Sequence, residues 1–355
     1  MIFGKTSKFG KLVRSGIFLL ILTIFIFVII EGLSSVILFT IDIFTPLQLL
    51  EASHTEHDKL LGWVNKPNVY IKDLYGPGMY FRTNSQSFRN NKDFTTKVPP
   101  GKIRAICSGD SHTLGVDVDN DNTWCQLLTS VDERLETINM GQGGYGVDQA
   151  YLWYMRDGRK FEHDIHIFAF IEDDFKRAKS RTFWGYQKPV FKLENEKLVL
   201  DNVPVPQYQH YIPKVTLAVQ AMRKFKVFNL LKKIKDDTGV QILSRGNDEQ
   251  IRTITLKIFE SLRQANEEKG SILIAVYIPI ASDYVKEVPW RKFLSVELAK
   301  RGIIFIDLTE EVKKQPMELM FTGHYSAYGN KYLANTLYEK LLSFPEIKNK
   351  LSKTR

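Results

Sequence analysis

The strongest pattern in the chain is an apolar run near its start. Residues 15–30 read SGIFLLILTIFIFVII without a charge, and apolar character resumes after Glu31 through 36–39 and 43–44. A membrane-spanning helix needs about 20 such residues, which predicts a span over roughly residues 15–34 within an anchor of residues 15–44. A cleaved signal peptide is the competing reading, but the run is long for one and no small-x-small cleavage site stands out. Lys5, Lys8, Lys11 and Arg14 precede the run, whereas no lysine or arginine follows it until Lys59. By the positive-inside rule the N-terminus is cytoplasmic and the remainder exported, giving a single-pass protein of the inner (cytoplasmic) membrane with a periplasmic or other extracytoplasmic domain.

Residues 45–100 mix short apolar runs with turn clusters such as Tyr75-Gly76-Pro77-Gly78 and read as a connecting segment. From residue 102 the pattern changes to short, nearly continuous apolar runs at 103–107, 136–140, 165–170, 271–278 and 303–306, the signature of doubly buried strands. Helical periodicity falls between and after them at 122–128, 147–159 and 328–342. This alternation predicts a parallel sheet with helices on both faces, and in such sheets sites lie beyond the carboxyl ends of the strands. Residues 180–250 interrupt the alternation with a hairpin (189–193 with 197–200) and a basic helix over 214–235, carrying Lys224, Lys226, Lys232, Lys233 and Lys235. That helix reads as a surface helix on its own domain; docking to a membrane surface or an anionic glycan is the alternative. The expected division is a basic tail (1–14), the anchor (15–44), the connecting segment (45–100), a main domain (101–345) and a basic tail (346–355).

Composition narrows this only slightly. With 355 residues, 44% hydrophobic and 25% charged, the chain is globular. The net charge of +9 admits nucleic acid, anionic membranes or acidic glycans. No zinc-finger spacing, helix-turn-helix signal or aromatic-basic RNA-binding stretch accompanies it, so no nucleic-acid partner is expected. Cys107 and Cys125 read as small buried hydrophobes, too few for a metal site. No cofactor and no metal is expected.

Candidate chemistry gathers at strand ends. Ser111 follows the first strand through the turn Ser108-Gly109-Asp110, and a serine needs a base to become nucleophilic. Of seven histidines, His324 lies in the loop between the last strand and the terminal helix, at the same sheet edge as Ser111. Backbone N–H groups of Ser111 and of the glycine run 141–146 are candidate donors to an oxyanion. The run does not end as a phosphate loop does.

The order Gly109-Asp110-Ser111, Asn139-x-Gly-x-Gly-Gly144, Glu172-Asp173-Asp174-Phe175 and His324 resembles the SGNH/GDSL hydrolase family over residues 102–342. More narrowly, it resembles membrane-anchored bacterial members with segments similar to Leu61-Gly62-Trp63 and Asn84-Ser85-Gln86-Ser87-Phe88-Arg89. The resemblance implies a flavodoxin-like three-layer α/β/α sandwich, Ser111 as nucleophile, His324 as base, and Ser111, Gly144 and Asp173 at the oxyanion. Asp110, Asp174 and Arg177 would line the substrate site.

The family has asparagine where Asp173 stands, and aspartate two or three residues before the histidine, where this chain has Thr322 and Phe321. A carboxylate at 173 would repel an oxyanion. Thr322 or Glu318 is then the candidate acid partner, or the site runs as a Ser-His dyad. The implied function is an exported serine esterase or O-acyltransferase on acyl esters, acetyl above all, of a bacterial surface glycan, with a membrane acyl-donor protein as a partner. A catalytically impaired glycan-binding or assembly module and a lipid ester hydrolase are the alternatives.

Overall fold

The computed structural model describes residues 8–44, 46–48, 52–207, 211–213 and 245–352. The chain divides into two compact units, Met1–Leu49 with Gln209–Val240, and Leu50–Tyr208 with Gln241–Arg355. In the first, a continuous helix runs over Lys8–Phe44, and Pro46–Gln48 pairs antiparallel with Tyr211–Pro213. Within that helix, Val13–Leu38 is long and apolar enough to cross a membrane. The basic helix expected over 214–235 lies outside the described residues.

The second unit is built on a five-stranded parallel sheet: β1 (Ile103–Gly109), β2 (Leu135–Gly141), β3 (Ile165–Phe170), β4 (Ile272–Tyr277) and β5 (Ile304–Asp307). The spatial order is β2-β1-β3-β4-β5, all parallel, which is the flavodoxin-like doubly wound order. Successive side chains of a strand leave by opposite faces, and β3 shows how both are used. Ile165, Ile167 and Ala169 join a core with Trp124, Leu128, Leu333 and Leu337. Phe168 and Phe170 join another with Trp153, Ile258, Phe259 and Leu294. The helices Trp124–Val131 and Ala327–Leu342 therefore cover one face, and Val147–Arg156, Arg245–Glu267 and Pro289–Lys300 the other. This is the expected three-layer α/β/α sandwich. Both cysteines are buried and free.

Two boundaries drawn from sequence need correction. The segment read as a connector packs as part of the main unit: Leu61, Trp63, Phe81, Phe88 and Phe94 are buried, and each such side chain contributes about 1.5–3 kcal/mol by leaving water. Its mixed composition reflects irregular backbone that is nonetheless built into the core. Residues 346–352 are not a tail either, because the helix Pro345–Ser352 buries Ile347 and Leu351.

Candidate active site

The order reversal between β2-β1 and β3-β4-β5 opens a crevice at the carboxyl ends of β1 and β3. Ser111 stands there as the first residue of the short helix Ser111–Leu114. Asp110 caps that helix, its carboxylate accepting from the His112 N–H (2.8 Å). The helix lies so close on the end of β2 that a Cβ at position 141 would collide with the Leu114 backbone, which explains Gly141.

His324 Nε2 lies 2.9 Å from Ser111 Oγ, a hydrogen bond joining groups 213 residues apart in the arrangement that a nucleophile and its base require. The other ring nitrogen faces neither Thr322 nor Glu318. Nδ1 is 3.5 Å from Asp117 Oδ2, which also accepts the His324 backbone N–H at 3.1 Å. The sequence-based acid partners are thus replaced by a residue just downstream of the nucleophile. Asp117 has φ 71°, a left-handed conformation costly for a non-glycine residue. It approaches Gly323 closely, where φ is 129° and a Cβ would lie 3.0 Å from Asp117 Oδ2. Buried Arg89 clamps the loop carrying Asp117, donating to the carbonyls of Leu114 (2.7 Å), Gly115 and Val118 (2.6 Å).

His112 forms a wall beside His324. Its ring centroid is 4.7 Å from that of His324, and its edge meets Tyr325. Burial pushes its pKa down to about 4, so it is neutral at neutral pH.

The opposite side of the crevice departs from the expectation. In the helix Glu172–Arg177, Asp174 and Arg177 form one i,i+3 pair and Asp173 and Lys176 another. The first pair faces the nucleophile turn: Arg177 Nη1 donates to Asp174 Oδ1 (2.7 Å), Asp110 Oδ2 (3.1 Å) and the Tyr145 carbonyl (3.1 Å). The second faces outward, with Asp173 45% exposed and bound to Lys176 at 2.8 Å. Asp173 is therefore not aimed at an oxyanion. Asp110, Asp174 and Arg177 form a largely buried network that ties the end of β1 to the loop after β2, rather than an open substrate surface. Burial, reinforced by the Asp110 charge, holds the Asp174 carboxyl well above the usual carboxylate range. Gly144 lies in the loop after β2 with φ 79°, and a Cβ there would run into the Phe183 ring.

Sequence reasoning missed Asp117, and it quoted Arg89 only as the end of the segment Asn84–Arg89, without a role. The acidic run Asp117-x-Asp119 after Ser111 was the available signal for the first, and the motif Asn84–Arg89 itself for the role of the second.

No family model and no curated protein sequence matches the chain. Among solved structures, it is similar to a lipolytic protein of the G-D-S-L family from Veillonella parvula DSM 2008, at 14% identity and TM-score 0.39, covering 67% of this chain and 97% of that one. It is similar to a putative G-D-S-L lipolytic protein from Desulfitobacterium hafniense DCB-2, at 13% identity and TM-score 0.40, covering 67% and 99%. It is also similar to the lipase/acylhydrolase from Enterococcus faecalis, at 12% identity and TM-score 0.37, covering 68% and 96%. In its motif order, its β2-β1-β3-β4-β5 sheet and its paired Ser111 and His324, the chain resembles the SGNH/GDSL hydrolases.

Proposed function

We propose that this chain is a membrane-anchored serine esterase or O-acyltransferase acting on acyl esters, acetyl above all, of a bacterial surface glycan. The observation that carries the chemistry is the 2.9 Å Ser111–His324 pair with Asp117 behind the imidazole. Ser111 Oγ attacks the ester carbonyl while His324 Nε2 takes its proton, and the Asp117 carboxylate stabilises the imidazolium that forms. The tetrahedral oxyanion is met by the N–H groups of Ser111 and Gly144, with the Arg177 cation nearby. Collapse expels the sugar hydroxyl, which receives the proton from His324, and leaves acyl-Ser111. Water then yields an esterase, and a second sugar hydroxyl a transferase.

The reading of location rests on the apolar helix and the basic residues before it. They support a cytoplasmic N-terminus, a span in the inner membrane and an exported main unit, where a membrane acyl-donor protein is a fitting partner. The outward turn of Asp173 favours the second reading, a catalytically impaired glycan-binding module. The test is acetyl release from 4-nitrophenyl acetate by the full chain in detergent micelles. Release that disappears in Ser111→Ala supports the esterase; equal rates in the two proteins remove Ser111 from the mechanism. Absence of fluorophosphonate labelling at Ser111 supports the impaired module.

A further inference from the structure

The short hairpin Thr182–Phe183 with Tyr186–Gln187 turns through two residues, Trp184 and Gly185, at φ 50° and 86°. Positive φ at both central positions is the pattern of a type I′ turn, which favours Asn, Asp and Gly. A tryptophan there is strained by about 1 kcal/mol. The strain is not offset by burial. Trp184 is 57% exposed, and among the described residues its ring meets only that of its neighbour Phe183.

The hairpin is firmly seated. Lys188 at its base is fully buried, bound to Asp148 at 2.6 Å and to the Pro189 carbonyl at 2.9 Å. A Cβ on Gly62 would collide with the Gln187 carbonyl. It also stands at the catalytic edge. Phe183 packs against Gly144, stacks on Trp63, and lies 5.2 Å beneath the guanidinium of Arg177, which bonds to the residue preceding Ser111. A rigid support thus holds a strained, exposed indole one residue from the wall of the site.

We propose that Trp184 is a stacking platform for a sugar ring of the glycan ester, a subsite that places the chain beside Ser111. A pyranose has one face of C–H groups and a rim of hydroxyls, so it gains from a single flat aromatic face while its hydroxyls keep water. An acyl chain needs enclosure on all sides to leave water, and one exposed ring face does not supply it. This inference rests on the reading of the substrate as a glycan.

The test measures binding without turnover, so that it stands apart from the esterase reading. In the Ser111→Ala full chain in detergent micelles, calorimetry follows binding of chitohexaose and of a uronic-acid hexasaccharide. Adding Trp184→Asn, which suits the turn, should weaken affinity for at least one of them about tenfold while the melting temperature stays level or rises. Trp184→Phe, which keeps an aromatic face, should recover most of the loss. Equal affinity in the Asn variant overturns the platform, as does absence of binding to both sugars. So does an activity loss, in the Ser111 protein, that grows with acyl-chain length on aryl esters. A failed esterase reading appears separately, as unchanged aryl acetate turnover in Ser111→Ala.

Discussion

On one side of Ser111 stand His324, whose Nε2 lies 2.9 Å from the serine Oγ, and Asp117, whose carboxylate lies 3.5 Å behind the imidazole and just downstream of Ser111 in the chain. On the other stands the helix Glu172–Arg177, whose second residue turns its carboxylate away to Lys176 and whose last lays a guanidinium between Asp110 and Tyr145. In the proposed mechanism the proton-handling side is complete, although its acid, Asp117, comes from a place the sequence did not point to. The oxyanion side lacks a side-chain amide and holds a cation in its neighbourhood instead. Proton transfer demands an unbroken line of contacts, whereas oxyanion stabilisation accepts any well-placed positive potential. The two sides can therefore change independently.

The comparison breaks most sharply at the nucleophile: Ser111→Ala should lower kcat for aryl acetate by about 10⁴-fold. A residual rate within tenfold of wild type would mean that neither side serves catalysis.

Next in size is an acid-side stability effect centred on His112. Its folded pKa of about 4 lies below the ordinary 6.5, so the unfolded chain takes up the proton first as pH falls. Stability is full above 6.5 and falls toward pH 4, by up to about 3 kcal/mol for this group. His112→Gln should flatten that part of a plot of melting temperature against pH; an unchanged slope would place the titration elsewhere.

Asp117→Asn should cost about 10²-fold in kcat, less than a fully buried acid partner, because Asp117 is 34% exposed and 3.5 Å from the ring. Thr322→Ala and Glu318→Gln should stay within about twofold of wild type, and a larger loss in either would return the acid role to the residues near His324.

The smallest effect belongs to Asp173→Asn. With its side chain outward, the restored amide should change kcat by less than about threefold. A large gain would show that this side chain reaches the oxyanion during turnover.

The sheet was legible because its strands are buried on both faces and so appear as unbroken apolar runs, and β3 falls on residues 165–170 as read. The helix Pro289–Lys300 was not read, since only Trp290, Leu294 and Leu298 mark its buried side, a narrow stripe. Ser111 and His324 were legible from strand-end position alone. Asp117 was not, because its contact with His324 joins residues 207 apart through a backbone conformation that sequence does not announce.

Arg89 gives the early residues 52–100 a meaning beyond packing. Three of its hydrogen bonds end on carbonyls of the very loop that presents Asp117. A version of the chain cut back to begin at β1 would keep Ser111, Asp117 and His324 yet lose the brace on the loop that carries Asp117, and would leave three carbonyls without their donor. The smallest portable unit of this site is therefore longer than the sheet-and-helix repeat that contains its motifs, and a transplant of the site to another scaffold would have to carry that preceding half-hundred residues along.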